Sequence, residues 1–228
     1  MSVQASGDRA ADPNNLNLEH VQFNAILEQK STYLLLRRSC EIFILILVTL
    51  PALLVVSLAA IAIFFTMGEP VYFVQDRIGL GGKIFKLVKL RTMTQKPSNH
   101  LGATSADDAR ITPLGRLLRD SHIDELPQIW NVWRGDMSLV GPRPEQPHLA
   151  NLYRDVIPNY ALRHIVRPGL TGYSQVYFGY ATNLAETRQK LQYDLFYIRH
   201  IGPTLDLRIL GRTLAVLLRW RQPSQVSK

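Results

Sequence analysis

Residues 123–145 read IDELPQIWNVWRGDMSLVGPRPE, and the organisation of the whole chain follows from this stretch. It begins with two adjacent carboxylates, Asp124 and Glu125, just before Pro127. It closes on a Gly-Pro-Arg-Pro loop that holds Arg143 between two prolines. Between these ends, apolar side chains recur at the spacing of an amphipathic helix: Leu126, Ile129, Trp130 and Trp133.

Pro127 helps to place the start of this helix, because proline is tolerated in a first turn and breaks a helix further in. If Ser121 is the N-cap, Pro127 is the sixth helical residue and costs a hydrogen bond. If Asp124 is the N-cap, Pro127 is the third, where no such bond is lost. We prefer Asp124 as the N-cap. This position puts its carboxylate at the positive end of the helix dipole, which favours the ionised form of the acid. Asp124 is then either a nucleophile for a phosphoryl centre or only a cap.

Four basic side chains are candidates for binding phosphate near these acids. Lys89 and Arg91 lie two apart in an extended segment, so they face the same side; the alternative is a solvated strand edge. Arg119 is close in sequence to Asp124, and its alternative role is to complement a helix dipole. The prolines beside Arg143 fix the backbone, and its planar guanidinium matches a phosphate with two hydrogen bonds.

The most apolar part of the chain is residues 42–65, which carry no charge. A continuous helix of this length would be roughly 36 Å long and would cross the roughly 30 Å hydrocarbon core, so a transmembrane helix is the default interpretation. Two features favour a re-entrant hairpin instead. Pro51 lies inside the segment, where it removes a backbone hydrogen bond. Basic residues also flank both ends, whereas a spanning helix usually has them on one side.

The chain of 228 residues is basic, with 26 Lys and Arg against 18 Asp and Glu. This excess of positive charge fits an anionic membrane surface or a phosphorylated substrate. We expect no nucleic-acid partner, because no motif for binding DNA or RNA is visible. The single cysteine, Cys40, excludes an intramolecular disulfide and agrees with a cytoplasmic location.

The patterns predict a mainly helical α+β protein with four parts. Residues 1–30 are polar and are predicted to be a flexible extension, and residues 31–68 form the re-entrant membrane helix. Residues 69–200 form a cytoplasmic catalytic domain with a small β-hairpin in 71–93. Residues 201–228 form an amphipathic interfacial helix and a tail, for which an ordinary packed terminal helix is the alternative.

Three further helices are predicted inside the catalytic domain. Thr112 and Pro113 have the pattern of an N-cap and first residue of a short helix that ends near Arg119. Residues 153–164 are predicted to be helical with an interruption at a proline. A longer helix is predicted from Glu186 to Arg199.

The stretch 123–145 resembles the signature of the bacterial sugar transferases, the monotopic phosphoglycosyl transferases. The resemblance extends upstream to KLRTM at 89–93, and downstream to VRPGLTG at 166–172 and YDLFYI at 193–198. It covers roughly residues 37–220. The chain departs from the family's pattern at Leu50-Pro51, where Ser-Pro is frequent; at Tyr173, where Trp is frequent; and at residues 177–180, which weakens any statement about the sugar.

The resemblance implies transfer of a sugar-1-phosphate from a nucleoside diphosphate sugar, with a UDP-sugar expected, to undecaprenyl phosphate. A nucleoside monophosphate is released, and the lipid product starts a capsule, O-antigen or exopolysaccharide. The resemblance also implies a helix-break-helix membrane hairpin and a place on the cytoplasmic face of the bacterial inner membrane. Membrane lipid is then a further partner, and association into a homo-oligomer is left open.

Under this resemblance, Asp124 would attack the sugar-bearing phosphorus and the lipid phosphate would attack the resulting aspartyl phosphosugar. Mg²⁺ held by Asp124 and Glu125 would reduce the repulsion between carboxylate and diphosphate. Five cations would assist: Lys89, Arg91, Arg119, Arg143 and Arg167. Three alternatives remain: one-step transfer with Asp124 only as a metal ligand, a glycosyltransferase that releases a nucleoside diphosphate, and a membrane-anchored basic scaffold of a glycan assembly complex without catalysis.

Overall fold

The computed structural model describes residues 13–94 and 108–218, which are mainly helical as the sequence predicts. The helices are α1 (Pro13–Gln29), α2 (Ser31–Met67), α3 (Pro113–Asp120), α4 (Ile129–Arg134), α5 (Pro147–Val156), α6 (Tyr173–Tyr177), α7 (Leu184–Arg199) and α8 (Pro203–Leu218). Short 3-10 turns lie at Leu80–Gly82, Ile123–Gln128 and Tyr160–His164. The strands are β1 (Tyr72–Ile78), β2 (Ile84–Leu90), β3 (Ser138–Val140) and β4 (Gly169–Thr171).

Helix α2 contains the apolar segment and is long and apolar enough to cross a membrane. It continues through Pro51, so the helix break predicted at this proline is absent from its secondary structure. Packing on the N-terminal side of the proline accounts for this. Leu45 is buried among side chains of β2 and α4, and the Thr49 hydroxyl accepts a hydrogen bond from Trp133 Nε1 at 2.8 Å. These contacts hold the segment helical where proline removes a backbone bond.

One stripe of α2 packs against the rest of the protein along most of the helix. The buried residues follow helical spacing: Glu41, Leu45, Val56, Ala59 and Ile63. Side chains on the opposite side are exposed and apolar, among them Leu50, Leu54 and Phe65. The helix therefore has one side that contacts the folded domain and one side with no protein partner among the described residues.

A buried polar network fixes the N-terminal part of α2. Arg37 Nη1 lies 3.3 Å from Asp206 Oδ2 of α8 and donates to Tyr197 Oη of α7 at 3.0 Å. Arg37 Nε also pairs with Glu41 Oε1 at 3.2 Å. Glu41 Oε1 accepts from the Leu139 backbone N–H of β3 at 3.1 Å. The arginine and the glutamate beside the apolar segment thus join four elements of the domain.

Strands β1 and β2 form the predicted hairpin, in which Tyr72 pairs with Leu90 and Ile78 with Ile84. A second, parallel pair joins β3 to β4 and was not predicted. Its backbones come very close at Gly141, where a Cβ atom would lie 2.5 Å from the Arg167 carbonyl oxygen. No side chain fits there, so glycine at this position lets the chain after β3 run tightly against β4.

Helix α1 shows that the prediction of a flexible extension over residues 1–30 is wrong for residues 13–29. Phe23 is 1% exposed and belongs to the largest core cluster. The Arg199 guanidinium lies over its ring, 5.0 Å from the centroid. Burial of one aromatic side chain is enough to dock the helix, because such a side chain contributes a large apolar area. Residues 1–12 lie outside the described part of the chain.

The local helix signals were mostly correct. Thr112 caps α3 by accepting from the Gly115 N–H at 2.9 Å, and α7 covers the predicted helix. The helix predicted over residues 153–164 has the wrong bounds, because α5 ends before Pro158 and Ile157 is extended, as the residue before a proline prefers. Helix α8 is present to Leu218, and Trp220 with the tail lies outside the described residues.

We expect Gly141→Ala to lower the free energy of unfolding by about 1–3 kcal/mol, because the new methyl group forces the backbones of β3 and β4 apart. The measurement is thermal or chemical unfolding in detergent micelles. Gly211→Ala is the matched control. Gly211 is exposed in α8, and no atom lies within 4 Å of the place that an added methyl group would occupy, so this change should stabilise by up to about 1 kcal/mol. Equal stability of Gly141→Ala and wild type would contradict the close approach.

Candidate active site

Asp124 lies in the 3-10 turn Ile123–Gln128, between α3 and α4. The N-cap position of this turn is His122, with a left-handed φ of 56° and no capping side chain, so the prediction of Asp124 as N-cap is wrong. Pro127 is accommodated because the segment is a tight 3-10 turn and regular α-helix begins only at Ile129. Asp124 is therefore the second residue of the turn and is held inside the protein.

Burial decides the electrostatics of Asp124, which is 7% exposed. Burial, followed by the charge of Glu125, raises the pKa of Asp124 to about 6, although Lys89 and Arg119 act in the opposite direction. This corrects the expectation that a helix dipole favours the ionised form. The helix that follows is short, and the loss of water around the carboxylate outweighs its dipole.

Glu125 binds two cations at once. Its Oε1 accepts from Lys89 Nζ at 2.7 Å and from Arg143 Nη2 at 2.5 Å. Burial acts to raise the pKa of Glu125, but the charges of Arg143 and Lys89 outweigh it and hold that pKa well below its usual range. The pKa of Asp124 is thus raised, whereas the pKa of the adjacent Glu125 is lowered. Such a difference is typical of sites where two carboxyl groups have different tasks.

Lys89 reaches Glu125 because α4 holds strand β2 in place. The buried Asn131 of α4 accepts from the Val88 N–H at 3.2 Å and donates to the Lys86 carbonyl at 2.7 Å. One side chain of the helix therefore hydrogen-bonds to the strand on both sides of Leu87. This fixes the register in which Lys89 meets the carboxylate.

Two buried arginines support the loop that carries Arg143. Arg163 Nη2 donates to the Arg143 carbonyl at 2.9 Å, and Arg77 Nη1 donates to the Pro144 carbonyl at 3.0 Å. Glu145 lies between them, 3.8 Å from each guanidinium. Sequence reasoning missed Arg77 and Arg163. For Arg77 a signal existed, because the pairing of β1 with β2 puts it on the same face of the hairpin as Lys89.

The other three cations predicted for the site have different surroundings. Arg91 is buried and donates to the carbonyls of Met67, Gly68 and Glu69 at 2.5, 2.6 and 2.9 Å. It closes the C-terminal end of α2, and a phosphate shared by Lys89 and Arg91 stays a prediction. Strand β2 ends at Leu90, and the alternation of faces on which that prediction rested does not continue beyond it.

Arg119 and Arg167 have different hydrogen-bond partners. Arg119 Nε donates to Thr92 Oγ1 at 2.8 Å, and its charge acts on Asp124. Arg167 is exposed, and its Nε donates to the Gly135 carbonyl at 3.0 Å. Within residues 13–94 and 108–218, neither arginine forms an ion pair with the two acids. The structure therefore brings Lys89 and Arg143 to Glu125, and the charges of Lys89 and Arg119 act on Asp124.

Comparison with known proteins identifies the family of the chain. The model of the bacterial sugar transferase family matches residues 32–220. The chain is 38% identical over 208 residues to the UDP-N-acetylgalactosamine-undecaprenyl-phosphate N-acetylgalactosaminephosphotransferase of Aeromonas hydrophila, covering 89% of this chain and 49% of that protein. It is 44% identical over 164 residues to the UDP-glucose:undecaprenyl-phosphate glucose-1-phosphate transferase of Caulobacter vibrioides, covering 71% and 61%.

A third relative is the exopolysaccharide production protein PSS of Rhizobium leguminosarum, 36% identical over 192 residues, covering 79% of this chain and 94% of that protein. The chain thus spans about half the length of the Aeromonas relative and most of the Rhizobium relative. Helix α1 precedes the part that the family model matches.

We expect Asp124→Asn to be more stable than wild type at pH 8, on the order of 1–3 kcal/mol. The pKa of Asp124 is raised to about 6 in the folded protein, so folding favours the neutral acid. The free energy of unfolding of the wild type therefore falls as the pH rises through 6. Asp124→Asn has no titrating group at this position and does not show this fall. The gain should shrink as the pH falls to 5, which unfolding measured at several pH values will show.

Asp76→Asn is the control, because Asp76 forms an exposed pair with Lys86 at 2.7 Å. Removing such a pair should change the stability by about 0–1 kcal/mol. If Asp124→Asn were instead less stable than wild type at pH 8, Asp124 would be a cap and not a buried acid.

Proposed function

We propose that this chain, which belongs to the bacterial sugar transferase family, transfers a sugar-1-phosphate from a UDP-sugar to undecaprenyl phosphate. Two relatives have names that state such a transfer, with UDP-N-acetylgalactosamine and UDP-glucose as donors. The observation that carries the proposal is the pair of adjacent acids. Glu125 binds two cations, whereas Asp124 forms no ion pair with the described side chains and keeps its carboxylate available for reaction.

In the proposed reaction Asp124 attacks the sugar-bearing phosphorus of the donor. The bond from this phosphorus to the bridging oxygen breaks, and the nucleoside monophosphate leaves with the electron pair. An oxygen of undecaprenyl phosphate then attacks the phosphorus of the aspartyl phosphosugar, which releases the Asp124 carboxylate. Lys89 and Arg143, both bound to Glu125 next to Asp124 in the chain, stabilise the negative charge of the diphosphate in surroundings of low dielectric constant. Glu125 holds both cations in position.

Mg²⁺ is a proposed cofactor, and the donor set favours one carboxylate ligand over two. Both oxygens of Glu125 accept hydrogen bonds from cations, whereas Asp124 has no such partner among the described residues. Magnesium is often held by one carboxylate together with substrate phosphates and water. We propose that Asp124 and the diphosphate hold Mg²⁺, which would neutralise part of the diphosphate charge, and that Glu125 is not a ligand.

We also propose that α2 enters one leaflet with both ends on the cytoplasmic side. A spanning helix would separate its ends by a hydrocarbon core of about 30 Å. Here Arg37 near one end and Met67 at the other both bind the same polar domain. The exposed apolar side of α2 is then the side that faces lipid, which supports the placement of both ends on one side of the membrane.

Single-cysteine variants test this topology in a Cys40→Ser background. A membrane-impermeant maleimide should label cysteines at Ser31 and Glu69 only after the cell membrane is permeabilised, because both positions face the cytoplasm. Labelling of one position in intact spheroplasts would show that α2 spans the membrane. The matched control is a cysteine at Lys83, which lies in the exposed hairpin turn of the domain.

The reaction itself is tested by nucleotide release from a panel of UDP-sugars and GDP-sugars with Mg²⁺. Without lipid, we expect a burst of about one nucleoside monophosphate per protein, and with undecaprenyl phosphate we expect turnover. Asp124→Asn should lower both by at least about 10³-fold, since it removes the nucleophile. Asp76→Asn, on the exposed face of the hairpin, should behave as wild type.

Four results would contradict the proposal in different ways. Turnover that survives in Asp124→Asn would exclude Asp124 as nucleophile, and turnover without a burst would favour a one-step transfer in a ternary complex. Release of a nucleoside diphosphate would indicate a glycosyltransferase. An inactive wild type, with every donor in the panel, would favour the non-catalytic scaffold.

A further inference from the structure

Lys190 lies on the inward face of α7, largely buried, and forms no ion pair or hydrogen bond within the described residues. Its neighbours on this face, Thr187, Leu191 and Asp194, are only 7%, 2% and 1% exposed. Amines in a protein interior are almost always paired, because an unpaired buried charge is costly. An unpaired lysine at this position therefore suggests a ligand that supplies the missing charge.

A chain of contacts connects the surroundings of Lys190 to the active site. One turn after Lys190, Asp194 Oδ2 lies 2.8 Å from Arg163 Nη2, which donates to the Arg143 carbonyl at 2.9 Å. Arg143 in turn binds Glu125. Burial, followed by the charge of Arg163, lowers the pKa of Lys190. The lysine therefore belongs to the same cluster of charges as the arginine loop.

This cluster carries more positive than negative charge. Its members are five cations, Arg77, Lys89, Arg143, Arg163 and Lys190, and three carboxylates, Glu125, Glu145 and Asp194. The surplus of two positive charges is partly buried, where like charges repel strongly. A dianionic ligand cancels it, and in this cluster Lys190 is the cation to which no carboxylate within residues 13–94 and 108–218 is paired.

The position of Lys190 relative to Asp124 indicates which phosphate it binds. The turn that carries Asp124 packs on α2, whereas α7 packs on α6 and on the turn Tyr160–His164. In an in-line displacement the leaving oxygen lies opposite the nucleophile. A donor attacked by Asp124 thus places its leaving phosphate beyond Arg143, on the side away from the apolar helix. In the second displacement Asp124 is the leaving group, so the acceptor oxygen attacks from the side that the monophosphate has left.

We propose that Lys190 binds the phosphate that leaves with the nucleotide, which is the α-phosphate of a nucleoside diphosphate sugar. This inference rests on the proposed function and deepens it. As the bond to the bridging oxygen breaks, the electron pair and the negative charge pass to the departing monophosphate. The Lys190 ammonium stabilises this charge. The same contact holds free UMP, so the affinity for UMP reports on Lys190 without any turnover.

The test compares UMP binding to the full chain with and without the amine. Lys190→Met should weaken the Kd of UMP by about 10- to 100-fold, the usual value of a hydrogen bond to a charged group. The KM for the UDP-sugar should rise in parallel. Lys83→Met is the matched control, because Lys83 is exposed in the hairpin turn, and it should bind UMP as wild type does.

Unchanged affinity of Lys190→Met for UMP would overturn the proposal. A change confined to the KM for undecaprenyl phosphate would also overturn it, because Lys190 would then bind the acceptor. Failure of the proposed function gives a different result, namely a wild-type protein that neither binds UMP nor releases it from a UDP-sugar.

A second variant keeps the test valid if Lys190→Met does not fold. In a Cys40→Ser background, Lys190→Cys provides the only thiol of the chain, and 2-bromoethylamine converts it to an amine of nearly the length of lysine. The thiolate sulfur displaces bromide, so the charge is restored without refolding. Recovery of UMP affinity after alkylation supports the proposal, and complete alkylation without recovery overturns it.

Discussion

The candidate active site depends on one carboxylate that is shared by two cations. Glu125 binds Lys89 of β2 and Arg143 of the loop before α5, and so joins two parts of the chain that are far apart in sequence. Removal of one partner from such a buried group leaves uncompensated charge and is strongly destabilising. The same pairing keeps Glu125 ionised, and its negative charge helps to raise the pKa of Asp124. One interaction thus sets the position of the cations and adds to the effect of burial on the protonation of the neighbouring acid.

The surrounding elements keep this interaction in register. Asn131 ties α4 to β2, and Arg77 and Arg163 hold the loop of Arg143 from two sides. The close backbone approach at Gly141 fixes where that loop begins. Each of these contacts is made to the backbone of β2 or of the Arg143 loop. The backbone therefore fixes the positions of the reactive side chains. Such pre-organisation is what electrostatic stabilisation of a diphosphate requires.

The sequence predicted those features that depend on neighbours in the chain. The cap at Thr112 and the hairpin were correct because turn chemistry and alternation are local signals. Lys89, Glu125 and Arg143 were all predicted as site residues, but no sequence pattern indicated that the two cations share the glutamate. Arg91 was assigned to phosphate and in the structure closes the end of α2, and the burial of Asp124 overrode the expected dipole. These outcomes depend on contacts between distant segments, which periodicity does not report.

The network at Arg37 has a consequence for the order in which the protein is made. Arg37 and Glu41 leave the ribosome before their partners, because Tyr197 follows Arg37 by 160 residues and Asp206 comes later still. Until those partners are made, Arg37 and Glu41 form an ion pair with each other, one helical turn apart and 3.2 Å between Nε and Oε1. This local pair lowers the cost of holding the apolar helix at a membrane before the domain exists. Docking of α2 through this network therefore waits until Tyr197 and Asp206 are made, and nascent chains that end before α8 lack the contact with Asp206.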